Sequence, residues 1–98
     1  MFAELCRVVS PGQLKTAKSG KCFLQIELSY SYFRFGKKHE QIVEATLWDK
    51  RAKALFPMLI VGSWVFITAS DIHVSPHGGE LSKLVCTIVD IKVVQKDL

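Results

Sequence analysis

Aromatic rings set among cations are the pattern in this chain that could do chemistry. Tyr32, Phe33 and Phe35 surround Arg34, and Lys37 and Lys38 follow at once. Trp48 is followed by Lys50, Arg51 and Lys53, and a third basic group, Lys15, Lys18 and Lys21, comes earlier. A ring face can stack on a nucleobase, and a lysine or arginine can neutralise a phosphate. The two together suit a polyanion whose bases are unpaired. A net charge of +4 over 98 residues agrees with such a partner. For the loop lysines, simple solvation is the competing reading.

Catalytic chemistry is not expected. His39, His73 and His77 fall in or near expected hairpin tips, and no set of nucleophile, base and orienting group accompanies them. Asp49, Asp71 and Asp90 form no metal pattern, and the glycines form no phosphate loop. No enzyme activity, cofactor or metal is therefore expected. Cys6, Cys22 and Cys86 lie in apolar strand patterns and are read as buried free thiols, which suits a reducing, cytoplasmic setting. Glu4 and Arg7 interrupt the apolar residues after Met1, so no signal peptide is expected. The longest apolar run, 54–62, contains Pro57 and is too short to span a membrane.

The elements that must position these residues are mostly strands. Residues 2–10 read as a first strand, and Pro11-Gly12 opens a lysine-bearing loop over 12–21. Residues 22–35 alternate, with Leu24, Ile26, Leu28 and Tyr30 on one face and Phe23, Gln25, Glu27 and Ser29 on the other. Phe33 and Phe35 continue the face of Phe23. Gly36 to His39 reads as a polar hairpin tip. In the third strand, 41–49, Val43, Ala45 and Leu47 are the core candidates, so Ile42, Glu44, Thr46 and Trp48 face outward. Asp49 is placed to cap a short helix over 50–56 whose apolar stripe is Ala52, Leu55, Phe56 and Leu59, and Pro57 should end it. A fourth strand follows Gly62 over 64–70, residues 75–79 read as a hairpin tip, and 81–94 read as the last strand. This predicts an all-β chain, one domain over 1–98, built as a five-stranded Greek-key OB-fold barrel with one short helix between strands 3 and 4.

Four stretches carry a more specific likeness: PGQLKTAKSG (11–20), FLQIELSYS (23–31), ATLWDKRAKAL (45–55) and VGSWVFITA (61–69). In this order, and with the interval from Trp48 to Gly62 ungapped, they resemble the bacterial-type single-stranded DNA-binding proteins over almost the whole chain. The resemblance implies an OB-fold, a homodimer or homotetramer, and sequence-independent binding of single-stranded DNA in replication, recombination or transfer. By position, Trp48 takes the place of a stacking aromatic and Lys50 that of a helix-start lysine. Ile42 stands where a tryptophan is common and Glu44 where an arginine is common. The sequence stops at Leu98 without the family's linker and acidic tip, which implies a tail-less relative. A phage or plasmid type fits this description. So does primosomal replication protein N, since Gly79-Glu80-Leu81-Ser82-Lys83 resembles a run in its last hairpin.

The expected nucleic-acid contacts are thus Trp48, Tyr32, Phe33, Arg34, Phe35, Lys37, Lys38, Lys50, Lys15, Lys18, Lys21 and Lys83. Packing at the helix start is the alternative for Trp48. An oligomer contact or a small satellite core is the alternative for the Phe33/Phe35 cluster. Trp64 and Phe66 are read as packing under the helix or at a subunit interface. Glu27 and Glu44 point to the proposed face and oppose a polyanion there. An OB-fold that serves instead as a protein-interaction module of a replication, primosome or conjugation complex is one alternative, and an RNA-binding OB protein is another.

Overall fold

The computed structural model of the protein describes residues 2–74 and 84–94. The strands are β1 (Phe2–Val8), β2 (Gln13–Thr16), β3 (Cys22–Arg34), β4 (Lys37–Trp48), β5 (Trp64–Val74) and β6 (Leu84–Val94), with α1 (Lys50–Leu55) and a 3-10 turn (Phe56–Met58) between β4 and β5. The sheet order β1-β5-β6-β4-β3 closes on itself because β1 also pairs with β3, at Arg7↔Ser29 and Val8↔Leu28. Five strands therefore form the OB-fold ring expected from the sequence. The sixth, β2, lies outside the ring on β3. It occupies part of the stretch read as a loop. All four of its residues are exposed, so it buries no apolar face that periodicity could register.

Strict alternation builds the interior. Leu24, Ile26 and Leu28 from β3 meet Val43, Ala45 and Leu47 from β4, and Val65, Ile67 and Ala69 come from β5. Cys6 and Val8 from β1 and Cys86, Ile88 and Ile91 from β6 complete the wall. Ala52 and Leu59 are buried against this core, and α1 packs on β3 and β4. The α-helix ends at Leu55, and Pro57 sits in the tighter turn that follows. That change of helical pitch takes Phe56 off the expected stripe, and its ring is exposed.

Three local features differ from the sequence reading. Asp49 stands at the N-cap position but makes no side-chain cap hydrogen bond. Its φ of 73° is not the extended backbone that a capping aspartate adopts, and its N–H is engaged by the Cys22 carbonyl at 2.9 Å. The hairpin tip is not Gly36–His39 but the pair Phe35–Gly36, with φ of 53° and 74°, closing Arg34 against Lys37. Positive φ at both central residues is what a type I′ turn needs to match strand twist. Lys37, Lys38 and His39 are consequently strand residues, and residues 31–40 form a two-stranded arm exposed throughout. Finally, β5 continues beyond Ser70 to Val74 through irregularities at Thr68/Ala69 and Ser70/His73, with Asp71 at φ 52°. An aspartate tolerates that conformation, and such bulges bend a strand around a barrel.

The expected hairpin tip at 75–79 and the run 79–83, including Lys83, lie outside the described residues, as does His77. No helix among the described residues is long and apolar enough to cross a membrane.

Candidate nucleic-acid interface

Residues opposite each other in an antiparallel pair share a face. The β3–β4 register therefore fixes the outer row as Phe23↔Trp48, Gln25↔Thr46, Glu27↔Glu44, Ser29↔Ile42, Ser31↔Glu40 and Phe33↔Lys38. At one end Phe23 and Trp48 lie with ring centroids 4.7 Å apart and planes at 37°. Lys15 is opposite Phe23 in the β2–β3 register. Lys15, Phe23 and Trp48 thus form one row across three strands, a cation beside two rings. Phe23 was not among the expected contacts. Its signal was its place on the Trp48 face, but only the register makes the two rings neighbours.

A groove of about 500 Å³ adjoins this row, lined by Gly20, Trp48, Lys50, Arg51 and Lys53 among others. Lys18 and Lys21 flank Gly20 in a tight turn closed by Gly20 N–H donating to the Ala17 carbonyl at 2.9 Å. Three basic residues thus line the groove beside the aromatic pair, together with the carboxylate of Asp49, and Lys18 and Lys21 are close in sequence to Gly20 at its edge. Arg51 also has a structural task, since its Nη1 donates to the Val89 carbonyl of β6 at 2.7 Å.

The middle of the outer row is different. Glu27 and Glu44 are directly opposite, and Glu40 lies further along β4 on the same face. Lys15 Nζ donates to Gln25 Oε1 at 2.6 Å, and Gln25 Nε2 donates to Glu44 Oε1 at 3.5 Å. Gln25 therefore links Lys15 to Glu44. A second groove, of about 450 Å³, opens over this stretch and is lined by Ser10, Gln13, Lys15, Gln25, Glu27 and Glu44 among others.

The arm holds the remaining candidates. Phe33 is 74% exposed and Phe35 is 90% exposed, so neither belongs to a satellite core. The Arg34 guanidinium carbon lies 5.5 Å from the Phe35 ring centroid. Phe35 does not continue the Phe23 face, because the turn takes it out of strand alternation. Tyr32 faces away from Phe33. Its ring stacks on His39, with centroids 5.3 Å apart and planes at 20°. Along β3, Phe33 is ten residues from Phe23, about 33 Å at strand rise. The expected aromatics therefore fall at two separate stations rather than on one platform.

Trp64 is half-buried, whereas Phe66 is 43% exposed on the outer side of β5, across from Leu5 and Lys92. Phe66 is thus not covered by the helix. Leu5 and Val94 are also exposed on that side of the barrel. The thiols of Cys6 and Cys86 are pushed up to about 12 and about 11, chiefly by burial, with Glu4 and then Cys86 adding to the rise at Cys6. Among the described residues no group of His, Cys, Asp and Glu could hold a metal ion.

By sequence, no family model and no curated protein matches the chain. By structure it is similar to a small single-stranded DNA-binding protein from Streptomyces coelicolor, with TM-score 0.78 and 13% identity, covering 95% of this chain and 90% of that one. It is also similar to the mitochondrial single-stranded DNA binding protein Rim1 of S. cerevisiae, with TM-score 0.69 and 15% identity over 99% and 95% of the two chains. The single-stranded DNA binding protein of Thermus aquaticus gives TM-score 0.72 and 13% identity, covering 95% of this chain and 48% of that one. At such identities the likeness is one of fold: the closed five-stranded ring with its short helix is an OB-fold barrel of the shape these proteins have.

Proposed function

We propose that the protein binds single-stranded DNA, with little sequence preference, through the outer side of β2, β3 and β4. The observation that carries this reading is the row Lys15, Phe23, Trp48 beside the groove of Lys50, Arg51 and Lys53. A base stacks on the Trp48/Phe23 pair while its phosphates run along the basic groove. The fold of the structural neighbours, each described as a single-stranded DNA-binding protein, supports it. The protein acts by binding and not by catalysis. Free thiols, two of them buried, suit a reducing compartment such as the cytoplasm.

The test is tryptophan-fluorescence titration with oligo(dT), oligo(rU) and duplex DNA at two salt concentrations. The expected result is quenching by oligo(dT) that weakens steeply with salt, as counterion release requires. Trp48→Ala should lose the ~1–3 kcal/mol of one stacked base. Equal affinity in a folded variant would remove Trp48 from the site. Preference for oligo(rU) would move the partner to RNA.

A second reading, a protein-interaction module of a replication or conjugation complex, is favoured by one observation. The carboxylates Glu27, Glu44 and Glu40 stand on the face that a polyanion must approach. A weak, salt-insensitive response to oligo(dT) supports that reading. Assembly as a homodimer or homotetramer is supported by exposed Leu5, Phe66 and Val94 on β1, β5 and β6, and sedimentation at several concentrations tests it. The narrower likeness to primosomal replication protein N or to phage and plasmid types remains a proposal resting on the sequence.

A further inference from the structure

The arm formed by residues 31–40 has two faces of unlike charge. On the outer face Lys38 and Glu40 cancel, and Glu44 and Glu27 follow toward the barrel. On the opposite face the cross-strand pairs are Arg34↔Lys37, Tyr32↔His39 and Tyr30↔Gln41. That face carries two cations and no carboxylate of the arm. It also carries stacked rings, Tyr32 on His39 at 5.3 Å, with Tyr30 a further 6.2 Å from Tyr32. The run of rings ends where Tyr30 meets Phe2 at 5.2 Å, within electrostatic reach of Glu4. Between the two faces stands Phe35, 90% exposed and held at φ 53° beside Arg34. A polyanion crossing the arm is repelled by the acidic middle of the outer face and attracted by the tip and by the face behind it.

We infer that the Tyr32/His39 face of the arm, with Arg34 and Lys37, is a second contact surface for single-stranded nucleic acid, which a strand reaches by turning around Phe35. Bases stack on the Tyr32–His39 pair, and phosphates meet Arg34 and Lys37. Phe33 and Lys38, though next in sequence, face the less favourable side. The inference rests on the single-strand binding proposed above and adds a location and a length dependence to it.

Lys37 and Lys38 make a matched test, being neighbours of equal charge on opposite faces. Lys37→Glu, Lys38→Glu, Tyr32→Ala and Trp48→Ala are each titrated with oligo(dT) of about 5 and about 16 nucleotides, near the limits of one OB unit. Trp48→Ala is expected to weaken both lengths. Tyr32→Ala is expected to weaken the long oligomer about tenfold, the loss of one stacked base, and the short one by far less. Lys37→Glu should reduce the salt slope for the long oligomer by at least about 0.7, one phosphate contact, and Lys38→Glu by less. Equal losses for Lys37→Glu and Lys38→Glu, or full affinity of Tyr32→Ala for the long oligomer, overturn the inference while leaving the Trp48 site standing. Equal losses would mean that the arm attracts the strand by charge with no preferred face, whereas full affinity of Tyr32→Ala would assign its rings to another partner, such as a protein. No binding of either length by the unaltered protein overturns both readings. Far-UV circular dichroism checks that each variant is folded, as expected for exposed Tyr32, Lys37 and Lys38, and is the needed control for half-buried Trp48.

Discussion

Phe35 states the residue-scale problem most sharply. A bulky residue in the left-handed region costs about 1–2 kcal/mol, and positions of this kind in type I′ turns favour Asn or Asp. Phe35 recovers none of that cost by burial, since 90% of its surface is exposed. Phe35→Asn is therefore expected to stabilise the fold by about 1 kcal/mol, a rise in melting temperature of roughly 4–8 °C for a chain of this size. The same variant should bind long oligo(dT) less tightly. A melting temperature that stays level or falls would mean that the ring contributes to the fold through its contact with Arg34. Trp48 is the contrasting case. It is half-buried, and part of its ring packs on Phe23 of β3, so Trp48→Ala removes a packing contact as well as the stacking surface proposed above.

Among elements, the β3–β4 ladder sets what the interface can do. Like charges directly opposite in a sheet are destabilising, and Glu27 and Glu44 are such a pair. Glu44→Gln keeps an oxygen to accept from Gln25 while removing one charge. It should raise stability by a few tenths of a kcal/mol and tighten oligo(dT) binding several-fold at low salt, with the gain fading at high salt. Isothermal titration at two ionic strengths reads this out, and a salt-independent gain would point to a cause other than charge. The alternation of Leu24 to Leu28 and of Val43 to Leu47 made the two faces of this ladder legible in the sequence, because each buried side chain is followed by one that is not. The arm was legible only in part: a strand to residue 35 and a hairpin tip could be read, but not the turn at Phe35–Gly36 or the strand character of 37–40. Its residues are exposed on both faces, and no burial enforces a pattern there. The pairing of Phe23 with Trp48 was equally hidden, since register depends on where the turn falls. That turn is set by Gly36 together with a phenylalanine that turn preferences would not choose. Asp49 shows the same limit: its type suits a cap, but the backbone hydrogen bond to Cys22 decides its conformation.

At the scale of the whole molecule, the closed ring places Cys6 and Cys86 where water does not reach them. In the unfolded chain each thiol loses its proton near the ordinary value of 9.0, whereas in the fold they hold it to about 12 and about 11. Between those values the unfolded chain binds fewer protons, so stability is intact below pH 9.0 and declines as pH rises toward about 11 and 12. The denaturation midpoint should fall across this window, and replacing both cysteines by alanine should flatten the decline. Half-exposed Cys22 should react with a thiol reagent before either of them. The ring also imposes an order of assembly. Its closing member is β6, which sits between β5 and β4 and joins β4 in parallel from Val43↔Leu84 to Thr46↔Thr87. The β3–β4 hairpin can form as soon as its own residues leave the ribosome, because its contacts are local. Until residues 84–94 have also emerged, β4 and β5 present bare edges, and the core lacks Cys86, Ile88 and Ile91. Bare edges of this kind invite pairing with other chains. The stretch of synthesis before β6 pairs with β4 and β5 is therefore when the chain is most open to association with its own copies.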